Sequence, residues 1–242
     1  LLSMRSPRGI GAGTDAATEA VETTMYRALA ALRVVVLINA IVLNLWFWET
    51  VERPALAVAA LALMTVWTAV AIWAYDQPPL RRLPLLLTDL AVTVATILVS
   101  PLVRGDDLES TVPGFWVMGV VLAWGIRGHW VGGLIASMTV SLADIAIRSD
   151  LDQTNYGNIF LLMIGGPVLG YTSGLLKEMA AARDRAERSA AAAAERARLA
   201  RVVHDGVLQV LALVQRRGRE LGGEAAELGR LAGEQEVALR SL

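Results

Sequence analysis

The sequence predicts an all-α membrane protein: a six-helix transmembrane bundle, a long coiled-coil stalk, and a dimerising helical hairpin that forms a four-helix bundle in the dimer. Three observations carry this expectation. The 242-residue chain is 55% hydrophobic with a mean hydropathy of +0.50, too apolar for an ordinary soluble domain. Its charge is split: residues 1–176 carry 23 charged side chains, and residues 177–242 carry 22 in 66 positions. The first part is therefore expected in the bilayer and the second in water. Beyond Leu175, finally, a heptad pattern runs on without interruption.

The elements follow in order. Residues 1–24, rich in Gly, Ala and Thr, are expected to be disordered. Residues 25–176 are expected to form a multi-span membrane domain. A spanning helix needs about 20 mostly apolar residues. Six stretches qualify or nearly do: Leu29–Trp48, Ala55–Ala74, Pro84–Val103, Gly114–Ile126, Trp130–Ile147 and Ile159–Leu176. The fourth is short, and only Arg127, Gly128 and His129 separate it from the fifth. A hairpin of two short helices is expected there, with a five-helix count as the alternative. Basic residues crowd one set of flanks: Arg5, Arg8, Arg27 and Arg33, then Arg81 and Arg82, Arg127, and Lys177, Arg183, Arg185 and Arg188. The opposite loops hold Arg53, Arg104 and Arg148. This bias predicts a plasma-membrane protein with both termini cytoplasmic. The first helix has no cleavage signature of a secretory signal. The outer loops span only about 6 to 12 residues, too few for a separate extracellular domain.

In the stalk, Leu175, Met179, Ala182, Ala186, Ser189, Ala193, Arg196, Ala200, Val203, Val207, Val210, Val214, Arg217 and Leu221 are spaced 4, 3, 4, 3. One helix, continuous or nearly so with the sixth span, is expected to pair with its copy in a homodimer. Its coiled-coil segment covers residues 177–197. Gly222 and Gly223 end this helix. A second helix carries Leu228, Leu231, Gln235, Ala238 and Leu242 at the same spacing, completing a hairpin over residues 198–242.

The sharpest chemical feature is Arg198-Leu199-Ala200-Arg201-Val202-Val203-His204-Asp205-Gly206-Val207-Leu208-Gln209. On a helix His204 lies about 100 degrees round from Val203, at the edge of the apolar stripe, so its ring reaches solvent. A neutral imidazole nitrogen is a good nucleophile. A neighbouring carboxylate, Asp205, can fix its tautomer and take its proton. Gln209, four residues from Asp205 on the same face, could orient a water for the reverse, phosphate-removing task. Leu208 and Leu211 flank His204; they either dock another domain or are covered by the second helix.

The string Glu195-Arg196-Ala197-Arg198-Leu199-Ala200-Arg201-Val202-Val203-His204-Asp205-Gly206-Val207-Leu208-Gln209 resembles the acceptor motif of the NarL-partnered class of sensor histidine kinases, in their type 3 dimerisation and histidine-phosphotransfer domain. Leu221-Gly222-Gly223, Glu234-Gln235-Glu236-Val237-Ala238-Leu239-Arg240 and the N-terminal Tyr26-Arg27-Ala28-Leu29-Ala30 and Arg33-Val34-Val35 are similar to an actinobacterial MacS-like subgroup. The resemblance implies His204 as phospho-acceptor, Asp205 as its acid–base partner and Gln209 as the phosphatase glutamine. It also implies a response regulator of the NarL/LuxR type as partner, and ATP with Mg2+ bound by a C-terminal catalytic domain. The sequence shows no phosphate-cradling Gly-rich loop. It starts at Leu1 and stops at Leu242 inside an expected helix, so a fragment lacking the ATP domain is expected.

Asp89 and Asp144 fall inside the third and fifth expected spans. Intramembrane carboxylates are costly, which makes both candidates for signal sensing; the plainer reading is a bond to a neighbouring Thr88, Thr93 or Ser141. Asn39 and Asn44 are expected to pack helices. Trp46, Trp48, Trp116 and Trp130 near span ends are expected as interface anchors against membrane lipid. His129 has no second ligand spaced with it, so no metal site is expected. The absence of cysteine excludes disulfides and thiolate chemistry. Alternating acids and bases between 183 and 201 predict a solvated coiled-coil face and no nucleic-acid patch. Two other functions fit the composition: a six-helix transporter or channel with a coiled-coil assembly tail, which would use Asp89 and Asp144 but leave the His-Asp-x-x-x-Gln string idle, and an adaptor that only dimerises.

Overall fold

The computed structural model describes residues 11–105, 111–148 and 153–240, and among these it is helical with no strand. The helices are α1 (Gly11–Trp46), α2 (Pro54–Asp76), α3 (Leu83–Arg104), α4 (Met118–Ala146), α5 (Gln153–Leu221) and α6 (Glu224–Arg240). Short 3-10 turns at Trp48–Thr50, Pro78–Leu80 and Gly114–Val117 link the first four. Prolines sit in the first turns of α2 and α3, where a missing N–H costs nothing. The chain divides into two compact units between Arg183 and Asp184.

In the first unit, five helices are long and apolar enough to cross a membrane. Their outward faces are as apolar as their inward ones: Val35, Ile38, Val66, Trp73, Leu142 and Leu161 are all exposed. Helices that are greasy all round are those of a membrane protein, whose outer solvent is lipid. Inside, Val36, Ala40, Met64, Val103 and Trp116 form one apolar cluster, and Leu29, Ala71, Leu86 and Ala123 sit in a second. Leu90, Ile97, Val121, Ala136, Val140 and Leu162 belong to a third.

The expected break at Arg127-Gly128-His129 is present within α4. His129 adopts φ 55° and ψ −149°. A Cβ on Gly132 would run into the carbonyl oxygen of Trp124, eight residues earlier. On a straight helix those positions stand about 12 Å apart. The chain therefore doubles back, giving one arm over 118–128 and another over 130–146. Both arms pack on α5 through glycines. Gly166, Gly170 and Gly174, spaced by four, meet Gly133, the carbonyl of His129 and the His129 ring, while Gly125 lies against Gly170. Small residues let backbones touch where lipid gives no hydrophobic drive for association.

The second unit is the later part of α5 and α6. Helix α5 ends at Leu221 as the glycine pair predicts: Gly222 (φ 71°) and Gly223 (φ 57°) are left-handed, and Gly222 N–H donates to the Gly218 carbonyl at 3.2 Å. The hairpin then closes on a seam of small residues. Gly218, Gly229, Ala232 and Gly233 are buried, and Gly218 and Gly229 approach so closely that Gly218 has no room for a side chain and Gly229 little.

Three expectations need correction. Residues 1–24 do not all lack structure, because α1 already runs from Gly11; its first turns use Ala, Thr and Glu, which form helix without being apolar. Residues 1–10 lie outside the described residues. In the single chain Leu228 and Leu231 are exposed, as a stripe left for a second hairpin would be, and the glycine–alanine face turns to α5. Trp116 is no interface anchor, since it is 2% exposed and donates to Thr68 Oγ1 at 2.9 Å. Asn39 is exposed, whereas Asn44 is buried as expected.

Candidate functional site

His204, Asp205 and Gln209 stand on the α5 face of the second unit, all three exposed. Among the described residues no hydrogen bond joins His204 to Asp205 or to Gln209, so the ring is held only by the helix beneath it. Leu208 and Leu211, one and two turns on, are half-buried and in line with Gln215 and Gly218, which meet α6. Round the helix from them, Val203 (64% exposed), Val207, Val210 (61%) and Val214 form an uncovered apolar stripe. His204 thus stands in line with Leu208 and Leu211, about 100 degrees round the helix from Val203 and the open stripe. Nearby, Glu195 and Arg198 make a bidentate pair at 2.9 Å that stays in solvent.

Asp89 is placed very differently. Its side chain is fully buried, and donors from two other helices, α1 and α2, reach it. Arg33 of α1 forms a bidentate ion pair with it, through Nη1 at 3.3 Å and through a shorter Nη2 contact. Trp67 Nε1 of α2 donates to Oδ1 at 2.7 Å, and the Tyr75 hydroxyl to Oδ2 at 3.0 Å. Arg33 also donates to the Gly119 carbonyl of α4 at 3.0 Å. The Arg33 guanidinium lies 5.3 Å from the Tyr75 ring centre; that ring stacks on Tyr26, and Arg81 covers Tyr26 at 4.8 Å. The neighbouring threonines do not neutralise the carboxylate: Thr93 Oγ1 donates to the Asp89 backbone carbonyl, and Thr88 bonds Pro84. Sequence reasoning named Asp89 and missed its partner, because Arg33 was counted among the flanking charges. The signal was available: one buried acid in a span asks for one buried base in another.

Asp144 pairs with Arg148 one turn later, two bonds at 3.1 Å, and the pair lines a cavity at the end of α4. At the other end of the unit, Lys177 of α5 is buried. Its Nζ donates to Glu22 of α1 at 3.1 Å and to the Ile126 carbonyl at 2.7 Å. That carbonyl is free because the first arm of α4 stops at the His129 turn, and a cation is the natural cap for a helix C-terminus. Lys177 was read from sequence only as a basic flank.

No curated protein and no solved structure matches the chain. A family model described as a family of unknown function, DUF5931, matches residues 14–191. The match takes in the apolar helices, Arg33, Asp89, Asp144 and Lys177, and stops short of His204. By that match over 178 of its 242 residues, the chain belongs to the DUF5931 family.

Proposed function

We propose that the chain is the membrane-sensing and phospho-acceptor part of a sensor histidine kinase, with His204 as the acceptor. The observation that carries the reading is the exposed His204-Asp205-x-x-x-Gln209 string on a helical hairpin that leaves its valine stripe open. An imidazole nitrogen of His204 attacks the γ-phosphorus of ATP held with Mg2+ by a C-terminal catalytic domain, and the bond to the ADP oxygen breaks. The ring proton leaves to Asp205 or water. A regulator carboxylate then attacks the same phosphorus, and the N–P bond breaks. Such transfers ask chiefly for access and positioning, which a bare ring on a stiff helix offers. Gln209, one turn beyond Asp205, orients the water that hydrolyses the aspartyl phosphate.

The membrane part is read as six spans with both termini in the cytoplasm, counting the two α4 arms separately. Support comes from the doubled-back chain at His129 and from the charges. Arg104 donates to Asn44 at 2.8 Å and Arg148 bonds Asp144, so Arg53 is left as the exposed basic residue of the outer loops. The stalk is read as a coiled coil, because Val203, Val207, Val210 and Val214 gain cover only from another surface, and the exposed Leu228 and Leu231 offer a matching stripe. Lys177, bonded to α1 and to α4 where α5 leaves the apolar helices, is the joint through which a shift in the bundle reaches the stalk. A transporter reading loses its strongest residue, since the Asp89 carboxylate is saturated by Arg33, Trp67 and Tyr75.

The test uses the chain in membranes with its ATP-binding domain and labelled ATP. Acid-labile label should form on the chain, pass to a response regulator, and vanish in His204→Gln. Undiminished label in that variant would remove the assignment.

A further inference from the structure

A cavity of about 210 Å³ opens between α1, α3, the second arm of α4 and the first turns of α5. Leu43, Ile97, Val140 and Leu162 line it with apolar surface. Its polar wall holds Ser141, Asp144, Arg148, Asn155 and Asn158.

Two of these groups are unspent. Ser141 is 5% exposed, and its hydroxyl has no hydrogen-bond partner among the described residues. It does not even make the bond to a carbonyl one turn back that Thr139 makes to Ile135 in the same helix. Asn155 is 8% exposed and lines the same wall, and no hydrogen bond of its carboxamide is seen among the described residues. A buried hydroxyl without a partner is rare in folded proteins, and one on a cavity wall beside an unbonded carboxamide points to a missing guest. Asp144 and Arg148, by contrast, neutralise each other at 3.1 Å, so the wall offers no net charge.

We propose that this cavity binds a small uncharged amphiphile, a hydroxyl or amide head on Ser141 and Asn155 and a short apolar body against Ile97 and Leu162. A hydroxyl and a carboxamide both donate and accept, so they suit a head that does the same. A charged head would find its counter-charge already taken. The volume lies below the roughly 300–1,000 Å³ of drug-sized sites, which limits the guest to on the order of ten heavy atoms. The site goes beyond the phospho-acceptor reading and stands without it.

The test reads binding alone, so it can fail while His204 accepts phosphate, and the reverse. The full chain in lipid nanodiscs is photolabelled with a diazirine-bearing six-carbon alcohol, and the labelled residues are mapped by tandem mass spectrometry. Saturable labelling between Val140 and Arg148 and between Thr154 and Leu162 is expected, competed by benzyl alcohol. It should fall at least fivefold in Ser141→Trp, which fills the cavity, and in Ser141→Val with Asn155→Leu, which keeps its size and removes the head contacts. Thermal melting of each variant checks its fold. Labelling that rises without saturation and spreads over lipid-facing Leu87 and Leu98 would overturn the site. So would labelling that a diazirine phosphatidylcholine reproduces and benzyl alcohol does not compete, since the cavity would then be a slot for a lipid chain.

Discussion

Asp89 and His204 are both residues that sequence chemistry singled out, and the molecule treats them in opposite ways. Asp89 is fully buried, with its carboxylate paired to one arginine and hydrogen-bonded by two further donors. His204 is exposed, and among the described residues no hydrogen bond holds its ring. A carboxylate withdrawn from water must have its charge answered, and four helices are tied together in answering it. A nucleophile has to keep its lone pair free for an incoming partner. The contrast teaches that a costly residue can mark a fold-defining lock or a reactive site, and that the partners around it tell which.

The largest effect should come from breaking the lock. Arg33→Ala leaves an unpaired carboxylate in the apolar interior and should cost about 3–5 kcal/mol, read as a fall in thermal unfolding temperature in detergent or nanodiscs. Replacing both partners, Arg33→Met with Asp89→Leu, should restore most of that loss. If the double variant is no more stable than Arg33→Ala, Asp89 is doing something other than locking helices.

A smaller effect should come from the open side of the comparison. Val207→Asp alters a residue 42% exposed in the single chain, so the hairpin itself should hardly notice. If a second copy covers the valine stripe, the dimer should weaken at least about tenfold, equivalent to about 1.4 kcal/mol, by light scattering or sedimentation. An unchanged mass distribution would show that something else covers these valines, or nothing does.

The smallest effect is expected between the two regions. Lys177→Met keeps the stem and removes the bonds to Glu22 and the Ile126 carbonyl, and should cost about 1 kcal/mol of stability. Its larger consequence should be on signalling, as a phosphorylation level that no longer responds to the membrane domain. A normal response in that variant would free Lys177 from the coupling role.

Much of this was legible in the chain. Hydropathy found each apolar helix to within a few residues except at the start of α1, and Arg127-Gly128-His129 marked the reversal inside α4. Gly222-Gly223 fixed the end of α5 because only glycine enters two left-handed positions in succession cheaply. What stayed hidden was pairing across distance. Arg33 and Asp89 stand 56 residues apart, and nothing local distinguishes a buried arginine from a flanking one. The face on which the hairpin closes, Gly218, Gly229 and Gly233, carries no hydrophobic stripe to mark it, because close backbone contact needs small residues more than large ones. The unpartnered Ser141 hydroxyl is a fact of three dimensions, since a serine in a helix ordinarily satisfies itself.

The central claim is that His204 is left open because it takes the phosphoryl group. The chain has only two histidines, His129 and His204, so locating the modification decides the matter. After incubation with ATP and the catalytic domain, peptides would be mapped by mass spectrometry at alkaline pH, where phosphohistidine survives. The account predicts phosphate on the peptide containing Val203-His204-Asp205 and none on the one containing His129. Phosphate on His129, or on a serine or threonine with His204 unmodified, would contradict it.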